Sequence, residues 1–208
     1  MKTIVCFGDS NTWGADPAGA SRHPREKRWP SVMARELGGE YEVIAEGQRG
    51  RTTVWLDPIE GPKRGSDYLL PCLDSHAPAD LLIIFLGTND LKHRNGLSAW
   101  DIAHGAGTLV QMAQGCAFGP GGSAPRVLLL APPPVAGLNN RFRKMFDGGV
   151  EVSRELGIEY RAVAEELGCD FLDLQTVVRS SDLDGIHLEA SEHEKLGVAV
   201  AAKVRAIL

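Results

Sequence analysis

The run Ile4-Val5-Cys6-Phe7 is apolar without interruption and rich in β-branched and aromatic residues. A strand with no polar face must be covered on both sides, which is the situation of a strand inside a parallel sheet. The run ends at Gly8-Asp9-Ser10, where glycine permits a sharp turn and the polar residues favour a helix start. Four further runs read as strands: Glu42–Ala45, Leu81–Leu86, Val127–Ala131 and a weaker Asp170–Leu172. Helical patterns lie between and after them. Trp29–Leu37 stops at Gly38-Gly39, Ser98–Ala113 starts on a capping serine, and Phe146–Leu167 carries Leu156, Tyr160, Val163 and Leu167 at helical spacing. The last, Ser191–Ile207, opens with Ser191 and Glu194 in capping-box spacing.

Strands alternating with helices, joined by right-handed crossovers, predict a three-layer α/β/α sandwich around a five-stranded parallel sheet of flavodoxin-like order. The 208 residues suffice for one domain, 1–208, with a full core. Charged residues make up 24% and the net charge is −5, which offers no electrostatic footprint for nucleic acid. The one basic cluster, Arg22, Arg25, Lys27 and Arg28, reads as a solvated loop face. Leu81–Leu86 is too short to cross a membrane, and the apolar residues before Asp9 are too few for a signal-peptide core. Cys6, Cys72, Cys116 and Cys169 form no Cys-x-x-Cys pair and have no close histidine partner, which points to a reducing, cytoplasmic setting. The stretches Asp16–Arg28, Gly47–Leu73, Gly115–Arg126 and Pro132–Arg143 read as long loops.

Four polar segments follow strand ends: Gly8-Asp9-Ser10, Gly47-Gln48-Arg49-Gly50-Arg51-Thr52, Gly87-Thr88-Asn89-Asp90 and Asp182-Leu183-Asp184-Gly185-Ile186-His187. The carboxyl ends of parallel strands share one edge of the sheet, so these segments can converge. Acyl transfer needs a nucleophile, a base, a group to orient the base and donors for an oxyanion. Ser10 can be the nucleophile, although alone it reads more readily as a helix cap. His187 can be the base. Asp184, three residues earlier, can orient it; Asp182 competes, but the three-residue turn suits the geometry better. The backbone N–H groups of Ser10 and Gly50 and the amide of Asn89 can serve as oxyanion donors. Asn11, Trp13, Lys92, Phe146 and Ile186 adjoin these loops as candidate pocket walls, and Asp9 and Asp90 as structural braces, Asp90 capping the next turn. His193, flanked by Glu192 and Glu194, has no metal-ligand spacing, and His23, His76, His93 and His104 read as bland; no metal and no cofactor are expected.

At these residues the chain resembles the SGNH, or GDSL-type, hydrolases. Gly8-Asp9-Ser10, Gly50, Gly87-x-Asn89-Asp90 and Asp184-x-x-His187 match the family's four motifs in order, with Gly47 a competitor for the glycine position. Asn11 departs from the leucine of the name motif and is placed in the pocket wall. Cys6-Phe7-Gly8-Asp9-Ser10-x-Thr12-Trp13-Gly14, Glu46-Gly47 and Arg51-Thr52-Thr53 look like the bacterial arylesterase and acyltransferase branch. The resemblance implies a cofactor-independent serine esterase for short acyl esters, working through an acyl-serine that water or an alcohol resolves. A carbohydrate acetyl esterase or thioesterase would use the same groups, and a non-enzymatic flavodoxin-like binding domain is the rival of a different class. The branch and the loop residues Trp55, Leu69, Leu70, Phe142 and Phe146 point to a homo-oligomer that takes a small-molecule ester, with no nucleic-acid or membrane partner.

Overall fold

The computed structural model describes residues 1–19, 21–139 and 142–208. Five parallel strands form one sheet: β1 (Lys2–Gly8), β2 (Tyr41–Gly47), β3 (Leu81–Phe85), β4 (Arg126–Ala131) and β5 (Asp170–Asp173), in the order β2-β1-β3-β4-β5. This is the flavodoxin-like order that the count of five strands suggested. The chain reverses direction across the sheet between β1 and β3, and a crevice opens outside the strand ends at such a point.

Successive side chains of a strand point to opposite faces, which divides the core in two. Val5, Phe7, Leu82, Ile84 and Leu129 pack with α3 (Gly65–Ser75), α4 (Ala99–Gln114) and α5 (Gly149–Leu167). Ile4, Cys6, Ile83, Phe85 and Leu128 pack on the other face with α2 (Trp29–Leu37) and α6 (Ala190–Ile207). All five residues of β3 are buried, which accounts for its unbroken apolar sequence. Ser98 caps α4 as expected, in a capping box with Asp101.

Three expectations need correction. The stretch read as a loop over 47–73 contains the start of α3, hidden in the sequence because Pro71 stands inside the helix. It also places Leu69 in the core and leaves Leu70 half-buried, so neither forms a loop surface. Helix α5 starts at Gly149, not at Phe146, because Gly148 turns the chain at φ 78°. In α6 the Ser191–Glu194 box does not form. The helix begins one residue earlier, after Glu189, and Glu194 instead pairs with Arg35 of α2 at 2.6 Å. Ala20, Asn140 and Arg141, within two of the expected loops, lie outside the described residues. No helix among the described residues is long and apolar enough to cross a membrane.

Candidate active site

Chain direction at the end of β1 is set by Asp9, whose carboxylate accepts from the Asn11 N–H at 2.8 Å and so caps the single-turn helix α1 (Ser10–Trp13). Ser10 is the first residue of that turn and faces the crevice. His187 reaches it from the other end of the chain: Nε2 lies 3.0 Å from Ser10 Oγ across 177 positions of sequence. Behind the ring, Nδ1 lies 2.6 Å from Asp184 Oδ2. The second oxygen, Oδ1, accepts from the backbone N–H groups of Ile186 and His187, each at 2.9 Å. Burial alone would raise the Asp184 carboxyl, but the ring and backbone hydrogen bonds of His187 and the Ile186 N–H hold it below the usual carboxylate range. Asp184 is therefore the carboxylate that meets His187.

The structure also separates the two competing glycines. Gly47 ends β2 against α1, where a Cβ would come within 2.2 Å of the Trp13 backbone nitrogen. Gly50, at φ 82°, lines the cavity beside Ser10. Among the described residues, no protein acceptor meets the backbone N–H of Ser10 or of Gly50. Asn89 sits at the end of β3 with its amide nitrogen 3.1 Å from the Arg51 carbonyl and 3.4 Å from Asp9 Oδ2. Asp90 does not cap the next turn as expected; its carboxylate accepts from the Thr53 hydroxyl at 2.6 Å and from the Thr53 N–H. Burial pushes both Asp9 and Asp90 up to about 6, against hydrogen bonds from Asn11 and Thr53 respectively.

A cavity of about 390 Å³ opens over Ser10. Trp13, Lys92, Phe146 and Ile186 line it as expected, and Phe142 joins them with its ring edge-on to His187 at 6.0 Å. Asn11 does not. It is buried beneath the turn, its Oδ1 accepting from Leu188 N–H at 3.1 Å and its amide 3.4 Å from the Ile186 carbonyl. A polar side chain in the leucine position of the motif thus fastens the His187 loop and forms no wall.

Sequence reading missed an ion cluster on one side of the cavity. Lys92 Nζ lies 2.9 Å from Asp57 and 2.7 Å from Glu60, and Arg94 reaches Asp57 at 2.6 Å. The Lys92 ammonium is consumed inside this cluster, although its side chain lines the cavity. Glu60 and Lys63 line the same wall. Burial would raise the Asp57 carboxyl, but the hydrogen bonds from Arg94 and Lys92 hold it far below the ordinary range. The only sequence signal was a surplus of charge in two loops far apart along the chain.

A serine hydroxyl, an imidazole and a carboxylate aligned at the carboxyl edge of a parallel sheet are the arrangement that an α/β ester hydrolase requires. The comparisons narrow this class. Residues 6–195 match the model of the GDSL-like lipase/acylhydrolase family, and the chain belongs to that family. It is a carboxylic ester hydrolase. No curated protein matches the sequence. Among solved structures, Est24, a carbohydrate acetylesterase from Sinorhizobium meliloti, is similar at 42% identity and a TM-score of 0.96, over 100% of both chains. The M. smegmatis aryl esterase is similar at 40% identity and a TM-score of 0.96, also over 100% of both chains.

Proposed function

We propose that the protein hydrolyses short-chain acyl esters with Ser10 as nucleophile, His187 as general base and Asp184 as the group that orients the base. The observation that carries this reading is the unbroken line Asp184 Oδ2, His187 Nδ1, His187 Nε2, Ser10 Oγ, with links of 2.6 and 3.0 Å. Such links allow the imidazole to withdraw the hydroxyl proton as oxygen attacks, and the carboxylate stabilises the imidazolium that forms. The oxyanion that develops rests on the Ser10 and Gly50 N–H groups and the Asn89 amide, donors set before the substrate arrives. Proton return from His187 expels the alcohol, and water, or a second alcohol, then resolves the acyl-serine.

The wall formed by Ile186, Phe142 and Phe146 suits a small acyl group, and the rim of Arg49, Glu60, Lys63 and Asn139 suits an alcohol rich in oxygen. This polar rim favours a sugar acetate as a second reading, and one similar protein is a carbohydrate acetylesterase. The four free cysteines suit a reducing, cytoplasmic setting. Exposed Trp55, Leu56 and Ile59 support a homo-oligomer, which a monomeric mass by light scattering would exclude.

The test is covalent labelling by a fluorophosphonate, mapped by mass spectrometry. One modified serine is expected, Ser10, with labelling severely slowed in His187→Ala. Modification at any other serine would refute the assignment. Rates on aryl acetate, longer aryl esters and acetylated sugars then rank the acyl and alcohol preferences.

A further inference from the structure

The cysteines were expected to have no histidine partner, yet one of them has. Cys72 and His76 stand one helical turn apart, Cys72 inside α3 and His76 at its carboxyl end. Both face Glu46 on β2. One donor atom from each, the thiol sulfur, an imidazole nitrogen and a carboxylate oxygen, falls within 4.8 Å of the other two. We propose that Glu46, Cys72 and His76 form a binding site for a divalent cation of the zinc class, fastening α3 to the edge strand of the sheet.

Donor chemistry selects the cation. A thiolate and an imidazole favour borderline ions such as Zn²⁺ or Co²⁺, whereas Mg²⁺ and Ca²⁺ require oxygen ligands. Three protein donors leave one tetrahedral position for water. The site admits that water, because the side chains of His76 and Glu46 are about one quarter exposed, at 25% and 22%, while Cys72 closes the inner side with no exposure. The frame is also rigid. Glu46 is held in register opposite Phe7 in β1, and Arg51 donates to the carbonyls of Glu46 and Gly8.

Without a cation the three groups are poorly matched. His76 Nε2 lies 2.7 Å from Glu46 Oε1, an ordinary hydrogen bond, but the sulfur gains nothing from it. A cation changes this: the S–H proton leaves to solvent as the metal–sulfur bond forms, and carboxylate and thiolate together neutralise the two positive charges. The imidazole and carboxylate must separate by roughly half an ångström or more to become neighbouring ligands at tetrahedral zinc distances. The positive Arg51 beside the cluster opposes the cation and caps its affinity.

The site does not depend on how Ser10 works, and its test is spectroscopic. Full-length protein, freed of metal by chelator, is titrated with Co²⁺ and then Zn²⁺. One equivalent of Co²⁺ should produce a thiolate-to-cobalt charge-transfer band and the strong visible absorption of a tetrahedral ion. Zn²⁺ should remove both and raise the melting temperature. Cys72→Ser and His76→Gln should each abolish the charge-transfer band or weaken binding by more than about tenfold. Because Cys72 is a core residue, the partly exposed His76→Gln decides the matter if Cys72→Ser does not fold. Absence of a thiolate band in the wild type, or a band that persists in His76→Gln at wild-type Co²⁺ affinity, would overturn the proposal; the Glu46–His76 contact would then be a plain hydrogen bond.

Discussion

Asn11 Oδ1 accepts from the backbone N–H of Leu188 at 3.1 Å, immediately beyond His187. The same side chain reaches the Ile186 carbonyl, so one buried amide holds the loop on both sides of the imidazole. Asn11→Ala removes both contacts and leaves Leu188 N–H unsatisfied in the interior. The ring loses its fixed distance to Ser10, and small misplacements of reacting groups are costly. We expect kcat to fall about 10²-fold with KM within about threefold. Asn11→Leu, which restores the family residue without the amide, should not rescue the rate. A wild-type kcat in Asn11→Ala would show that the loop is positioned by other means.

Asn89 should behave differently from a residue that merely lines the cavity. Its amide is aimed by the Arg51 carbonyl, and in the proposed mechanism it serves the oxyanion, a charge absent from the bound substrate. Asn89→Ala is expected to lower kcat by about 10²–10³ and leave KM nearly unchanged. Steady-state kinetics on an aryl acetate measures both constants; an effect confined to KM would make Asn89 a substrate-binding residue.

Gly47 and Gly50 provide a paired test of which glycine serves chemistry. At Gly47 a Cβ would collide with the backbone of Trp13 at 2.2 Å, and a backbone cannot swing aside. At Gly50 the collision is with Glu60 Oε2 at 2.1 Å, the free end of a flexible side chain, plus the strain of a positive φ of 82°. Gly47→Ala should therefore lower the melting temperature strongly. Gly50→Ala should cost only about 1–2 kcal/mol of stability and yet lose most of its kcat, because in the proposed mechanism the displaced segment carries an oxyanion donor. The opposite pattern would assign the catalytic position to Gly47.

These contrasts show which features the sequence carried. The inner strands β1, β3 and β4 were legible because burial on both faces demands unbroken apolar runs, and Leu81–Phe85 is the extreme case. The convergence of Ser10, Asn89 and His187 on one cavity was legible because strand ends share an edge, so the three could be placed together without coordinates. Asn11 was misread because nothing local tells whether a polar residue after a nucleophile points into a pocket or under a turn. The cluster of Asp57, Glu60, Lys92 and Arg94 was invisible because its partners lie in loops whose approach depends on the whole sheet. Helix α3 was concealed by Pro71, whose cost is offset by burial of Leu69, Cys72 and Leu73.

Two buried carboxyls should leave a mark on stability as a function of pH. Asp9 and Asp90 are fully buried, and burial raises each to about 6 in the folded protein. An unfolded chain returns them to about 3.9. Between about pH 4 and 6 the native state therefore binds more protons than the unfolded state, so stability falls as pH rises through that window and then levels off. Asp184 acts in the opposite sense. Its folded value lies below the ordinary one, so its contribution is present above about pH 4 and is lost as pH falls through the folded value. Asp90→Asn keeps an acceptor for the Thr53 hydroxyl and removes one of the raised groups. Urea unfolding midpoints measured from pH 4 to pH 8 should decline less steeply in this variant than in the wild type, the difference amounting to about 1–3 kcal/mol across the range. Identical slopes in the two proteins would mean that Asp90 ionises normally in the fold, and that the hydrogen bonds from Thr53 balance its burial.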